Sequence, residues 1–228
     1  MYNPAVLDPL AAETALLRFA PIALTAAMLG LALWGCAVQP PPGEPRGRAL
    51  FKTCQPCHGP MGQGNLALRA PAIGGLPEWY ISNELSKFQQ NFRGAHPDDM
   101  EGHRMRPMAR TLYHPGDLEA VASYVSKLPL AKVQPMMTGD VVAGQARYTT
   151  ICVACHGPQA QGQQVMNAPP LSQQADWYLM AQLEKFKTGM RGAHPKDVTG
   201  SQMRAMSSTL QDTTAMRNVV AYIKTLSH

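Results

Sequence analysis

The sequence predicts an all-α protein: two copies of one helical unit, preceded by an N-terminal membrane helix. Three observations carry that prediction. Residues recur in register 98 positions apart, apolar side chains fall at helical spacing with no sustained period-two alternation, and the run from Phe19 to Val38 holds no charge. At 45% hydrophobic and 15% charged residues the chain has an ordinary globular balance. Its net charge of +5 is scattered through Arg46, Arg48, Lys52, Arg69, Arg93, Arg104 and others, with no basic stripe, which excludes a nucleic-acid partner.

Residues 1–18 form a lead with Asp8, Glu13 and only Arg18, unlike the short basic start of a cleaved signal. The stretch FAPIALTAAMLGLALWGCAV, residues 19–38, is long enough to cross a hydrocarbon layer of about 30 Å as a transmembrane helix or signal-anchor. Within it, Leu33-Trp34-Gly35-Cys36 resembles a lipoprotein processing site, although Trp34 fits that pattern poorly. A retained helix, a lipidated Cys36 or simple cleavage all place the remainder outside the cytoplasmic membrane. QPPPGEPR, residues 39–46, reads as a Pro-rich linker, semi-rigid and extended.

The repeats occupy 47–129 and 139–228, joined by a linker at 130–138. Cys54 and Cys152, Trp79 and Trp177, Phe88 and Phe186, Arg93 and Arg191, His96 and His194, and Tyr124 and Tyr222 share one register, while the segment before Cys54 is one residue shorter than its counterpart. Each copy predicts three helices: GRALFKTC or GQARYTTIC, then EWYISNELSKFQQNF or DWYLMAQLEKFKTGM, then DLEAVASYVSKL or TTAMRNVVAYIKTL. Units this small normally need a disulfide, a metal or a cofactor for stability.

The chemistry lies in Cys54-Gln-Pro-Cys57-His58 and Cys152-Val-Ala-Cys155-His156. CxxCH is the attachment motif of c-type heme: two thiols add across porphyrin vinyl groups, and the next histidine binds iron from the proximal side. A zinc knuckle would need two further thiol or imidazole ligands per copy, and neither copy has another cysteine. A thioredoxin-like motif would sit on a βαβ pattern that is absent. The cofactors expected are therefore two covalently bound hemes c, held by Cys54, Cys57, Cys152 and Cys155, with His58 and His156 on iron. For the opposite face, His96/His194, Met105/Met203 and Met108/Met206 recur in register; a thioether raises the potential and an imidazole lowers it.

From Gly47 to His228 the chain resembles the diheme cytochrome c4 family, tandem class I cytochrome c domains. CxxCH, a Trp/Tyr-led helix ending in FxxxxRG, and a later methionine before a last helix ending as in AYIKTL carry the resemblance. It implies a distal methionine seven residues before Leu112 and Leu210, which are Met105 and Met203, with Met108 and Met206 packing at the heme edge. It also implies that the carbonyls of Pro71 and Pro169 accept from the proximal histidines. His96 and His194 are read as a Gly-Ala-His-Pro turn, and the paired tryptophans and tyrosines as packing against the macrocycle. Arg93 and Arg191 are read as partners of heme propionates or as solvated.

The expected protein is a membrane-tethered, periplasm-facing diheme cytochrome on the bacterial inner membrane. It is an electron carrier with no small-molecule substrate. It passes single electrons from a quinol-oxidising complex to a heme-copper terminal oxidase, as donor or as subunit. The alternatives are the electron-accepting subunit of a periplasmic dehydrogenase and, less favoured, a diheme peroxidase, which needs one iron with a displaceable ligand.

Overall fold

A computed structural model describes residues 43–226. The first repeat holds α1 (Glu44–Phe51), the single turn α2 (Gln55–His58), α3 (Glu78–Gln89), α4 (Met100–Arg110) and α5 (Asp117–Ser126). The second holds α6 (Val141–Arg147), a π-helical turn (Tyr148–Cys152), α7 (Val153–His156), α8 (Asp176–Thr188), α9 (Val198–Ser208) and α10 (Thr213–Thr225). Extended pairing among the described residues is limited to the isolated bridges Asn65–Ala70 and Gln163–Ala168, themselves in register. The expected span 19–38 and Cys36 lie outside the described residues, among which no helix is long and apolar enough to cross a membrane.

In each repeat the first helix crosses the last, and a glycine sets how closely. A Cβ on Gly47 would strike the Ala120 carbonyl and lie 2.7 Å from Tyr124 Cβ; one on Gly144 would strike the Asn218 carbonyl. Any larger residue must push the helices apart. The close crossing seals two equivalent cores. Phe51, Leu76, Ile81, Leu112, Val121 and Val125 form one, and Tyr148, Leu179, Leu210, Val219, Val220 and Ile223 the other.

Two features depart from the expected pattern. First, α1 begins at Glu44, so the last three residues of the Pro-rich linker are helical. Pro45 is tolerated because a first-turn N–H has no intrahelical partner, and Arg46 Nε donates to the buried Asp117 Oδ1 at 2.6 Å. Second, the methionine segment is itself a helix in both repeats, giving four main helices per repeat instead of three. MEGHRMRPMAR carries a glycine and a proline and is mostly polar, its apolar period confined to Met105, Met108 and Ala109, so it is easily read as a loop. An N-cap aspartate starts it: Asp99 Oδ1 accepts from Gly102 N and Asp197 Oδ1 from Gly200 N, each at 3.0 Å. A cap of this kind contributes about 1 kcal/mol.

The repeats pack on each other through reciprocal contacts. Lys185 Nζ lies 2.5 Å from Asp99 and, with each residue exchanged for its counterpart 98 positions away, Lys87 Nζ lies 2.9 Å from Asp197. Both aspartates are buried. A contact made in both senses is the mark of an approximate two-fold relation. Phe92 stacks on His194 at 4.3 Å across the same boundary, and Gln174 Nε2 donates to the Ala72 carbonyl at 3.1 Å. The linker is tied to the second repeat where the backbone N–H groups of Met136 and Met137 donate to the buried Asp176 Oδ2.

Candidate functional site

Each CxxCH motif occupies one helical turn. Cys54 caps α2, His58 closes it, and Gly59 turns the chain away at φ 82°; Cys152, His156 and Gly157, at φ 79°, repeat this. Positions three and four apart share a helix face, so both sulfurs and the imidazole present to one side. His58 Nδ1 lies 2.8 Å from the Pro71 carbonyl and His156 Nδ1 lies 2.9 Å from that of Pro169, as the resemblance implies. A carbonyl only accepts, so the proton resides on Nδ1 and the Nε2 lone pair faces the other way. His156 Nε2 is buried without a hydrogen-bond partner. Burial lowers the pKa of both histidines, against the carbonyl bond that raises it, which keeps them neutral and fit to ligate a metal. Burial, and then the neighbouring Cys57 and Cys155, pushes the Cys54 and Cys152 thiols up to about 11. Thiols held neutral in this way are not activated as a reactive dithiol.

A cavity opens beside each turn, about 460 Å³ in the first repeat and about 160 Å³ in the second. Cys54, Cys57, His58, Met105 and Met108 line the first, and Cys152, Cys155, His156, Met203 and Met206 the second. Met105 and Met203 are half-buried, whereas Met108 and Met206 are 40% and 44% exposed. His96 and His194 line neither cavity. Their Nδ1 atoms accept from Asp98 N and Lys196 N at 3.2 Å, two residues on, which makes them turn residues. Each cavity thus offers thiols, a neutral imidazole aimed inward, an apolar wall and a thioether. That donor set fits a covalently attached heme c.

The wall between the cavities was not foreseen. Tyr80, Glu84, Gln174, Tyr178 and Gln182 line both. Arg93 and Arg191, read as partners of heme propionates or as solvated, meet at this wall largely out of solvent. Arg93 donates from Nη1 to Glu84 Oε2 at 2.5 Å, and from Nη2 to Tyr178 Oη at 2.9 Å and Gln182 Oε1 at 3.0 Å. Arg191 donates from Nη2 to the same Glu84 oxygen at 2.7 Å and from Nη1 to Gln182 at 2.8 Å. Their guanidinium groups also lie over Phe88 and Phe186, at 4.6 and 4.5 Å. Burial alone would raise the Glu84 carboxyl, but Arg191, Arg93 and Lys87 overcome it and hold it down at about 2. Glu84 and Gln182 are register mates flanked by register-matched arginines, the one signal in the sequence that points to them.

The family model for cytochrome c matches residues 45–129 and 141–227, one copy over each cavity. The chain belongs to the cytochrome c family. It is a diheme c-type cytochrome, an electron carrier with two covalently attached hemes c. Among its relatives, the thiosulfate dehydrogenase electron acceptor of Thiomonas intermedia (strain K12) is 31% identical over 182 residues, 75% of this chain and 78% of that protein. The Cbb3-type cytochrome c oxidase subunit CcoP of Rhodobacter capsulatus is 28% identical over 134 residues, 55% of this chain and 43% of the subunit. Among solved structures, thiosulfate dehydrogenase (TsdBA) from Marichromatium purpuratum aligns with TM-score 0.61 and 30% identity over 79% of this chain and 39% of that one. Reduced cytochrome c4 from Pseudomonas stutzeri aligns with TM-score 0.61 and 22% identity over 81% of this chain and 98% of that one, a likeness of fold. The likeness to cytochrome c4 expected from the motifs therefore holds for this cytochrome.

Proposed function

We propose that this cytochrome is the electron acceptor of a dehydrogenase acting on a reduced sulfur compound such as thiosulfate, and that it passes the electrons singly to a membrane respiratory complex. One observation carries the reading. The match to a thiosulfate dehydrogenase electron acceptor covers 75% of this chain and 78% of that protein, whereas the match to the oxidase subunit covers 55% of this chain and 43% of the subunit. A bound heme supplies a metal that alternates between ferrous and ferric states. The chain's own residues do the rest. Cys54, Cys57, Cys152 and Cys155 tether the porphyrins, and His58 and His156, oriented by Pro71 and Pro169, ligate from one side. Met105 and Met203, the more buried methionine of each pair, ligate from the other. A histidine and a methionine holding each heme would leave no open position for a substrate, which disfavours a peroxidase. The heme units sit on the periplasmic side of the inner membrane, with residues 19–38 as tether.

The second reading, donor to or subunit of a heme-copper oxidase, is favoured by the CcoP relative. Stopped-flow spectroscopy separates the two. Purified holoprotein mixed with thiosulfate and a thiosulfate dehydrogenase is expected to show both hemes reduced within the enzyme's turnover time. Reduction by a quinol-oxidising complex alone, with reoxidation by a heme-copper oxidase, would replace this reading with the second.

A further inference from the structure

We propose that the Glu84 carboxylate sets the reduction potentials of both hemes together. Five side chains border both cavities, and Glu84 is the one acid among them. Around it the wall is nearly symmetric: Arg93 and Arg191 each donate once to Glu84 Oε2 and once to Gln182 Oε1, over 2.5 to 3.0 Å. Glu84 and Gln182 occupy equivalent positions, 98 apart, and accept the same bonds. They differ in charge alone. Two guanidinium groups and one carboxylate leave this wall at +2 − 1 = +1 before the nearby Lys87, whose Nζ is 3.6 Å from Glu84. Two carboxylates would bring the count to zero and two amides to +2.

The consequence follows from electrostatics. A reduced heme holds one electron more than an oxidised one, so a nearby anion disfavours reduction and lowers the potential. In a buried wall that effect is weakly screened. Glu84 borders both cavities, so its charge acts on both potentials in the same direction, holding them below the values two amides would set. The two arginine bonds that Glu84 accepts keep the carboxylate ionised and fixed in place; burial opposes its low pKa, and Arg191, Arg93 and Lys87 overcome that opposition. The register mate Gln182 supplies matching hydrogen bonds without adding a second anion. The partner proteins would thus meet two hemes poised by one residue that neither of them touches.

The proposal rests on a heme filling each cavity, and the test keeps the two claims apart. Holoprotein carrying Glu84→Gln, Gln182→Glu or both is titrated potentiometrically, with hemes counted by pyridine hemochrome and methionine ligation followed in the near-infrared. Glu84→Gln is expected to raise both midpoints, Gln182→Glu to lower both, and the double exchange to return both towards the wild-type values. Two hemes with neither midpoint moved, or with one moving alone, would overturn the proposal and leave the heme assignment standing. Fewer than two hemes in the wild-type chain would overturn the assignment and the proposal with it. Should Glu84→Gln fail to fold, Gln182→Glu decides: a rise or no change in either midpoint overturns the proposal.

Discussion

Phe51 and Tyr148 fill the same place in the two halves, both fully buried and both 5.5 Å from the aromatic ring of the last helix, Tyr124 or Tyr222. The halves nonetheless reach their first cysteine by different routes. In the first, Cys54 N donates to Phe51 O at 2.9 Å. In the second, the extra residue widens the helix into the π-turn Tyr148–Cys152, and the added hydroxyl of Tyr148 donates to the Gly157 carbonyl at 2.7 Å. From the cysteine onward the register is restored. The insertion is absorbed upstream of the residues that hold heme, where one more residue in the backbone changes no donor.

A second contrast lies at the tip of the loop after each motif. Arg69 and Asn167 adopt the same left-handed conformation, φ 52° and 50°. Asparagine tolerates it, while for arginine it is unfavourable by about 1 kcal/mol. Arg69 retains the position because its side chain is engaged on both sides: Nε donates to Glu101 of its own repeat at 2.6 Å, and the guanidinium lies 5.8 Å from the Trp177 ring of the other. The halves agree at the residues that hold heme and in the reciprocal lysine–aspartate contacts, and they differ before the first cysteine, at this loop tip and in Glu84 against Gln182.

Substitutions can break that symmetry one half at a time. The largest effect is expected at the distal ligands: Met105→Ala and Met203→Ala should each abolish the near-infrared thioether-to-ferric band of one heme and leave the other intact. A band that survives Met105→Ala but is lost in Met108→Ala would move the ligand. Next comes Lys185→Ala, which leaves Asp99, 2% exposed, without its cation and also releases Glu101. Removing one member of a buried pair destabilises by about 3–5 kcal/mol. Guanidinium titration of the holoprotein reads the loss, and a change under about 1 kcal/mol would show that the latch does not hold the halves together.

Acid should separate the halves through Glu84, since Gln182 has no charge to lose. The carboxyl falls from an ordinary 4.5 to about 2 in the fold. Its contribution is therefore complete above 4.5 and disappears as the pH falls towards 2, a difference of about 3 kcal/mol. Wild-type stability should decline across that window more steeply than that of Glu84→Gln, and parallel acid titrations of the two would contradict it. The smallest effect is expected from Tyr148→Phe, which copies the first half but leaves the Gly157 carbonyl without its side-chain donor. About 1 kcal/mol should be lost, seen as a lower melting temperature of the second half.

How much of this was legible in the residues depended on how local the cause was. The CxxCH turns, the 98-residue register and the aromatic-led helices are set by side chains a few positions apart, and they appear where periodicity and spacing place them. The helices α4 and α9 were not legible, because their apolar period is short, each carries a glycine in its first turn, and each starts from an aspartate cap that a turn would also use. Arg93 and Arg191 read equally well as solvated or as propionate partners, because Glu84 lies 107 residues from Arg191 and their meeting depends on how the two halves pack.

The covalent chemistry, and so the number of hemes, was determined by the sequence alone, since each attachment site is a single helical turn. What faces both cavities was decided by the tertiary structure. A charge acts over distance in space, and only the packing of one repeat against the other brings Glu84, Gln182 and two arginines to the wall between the cavities.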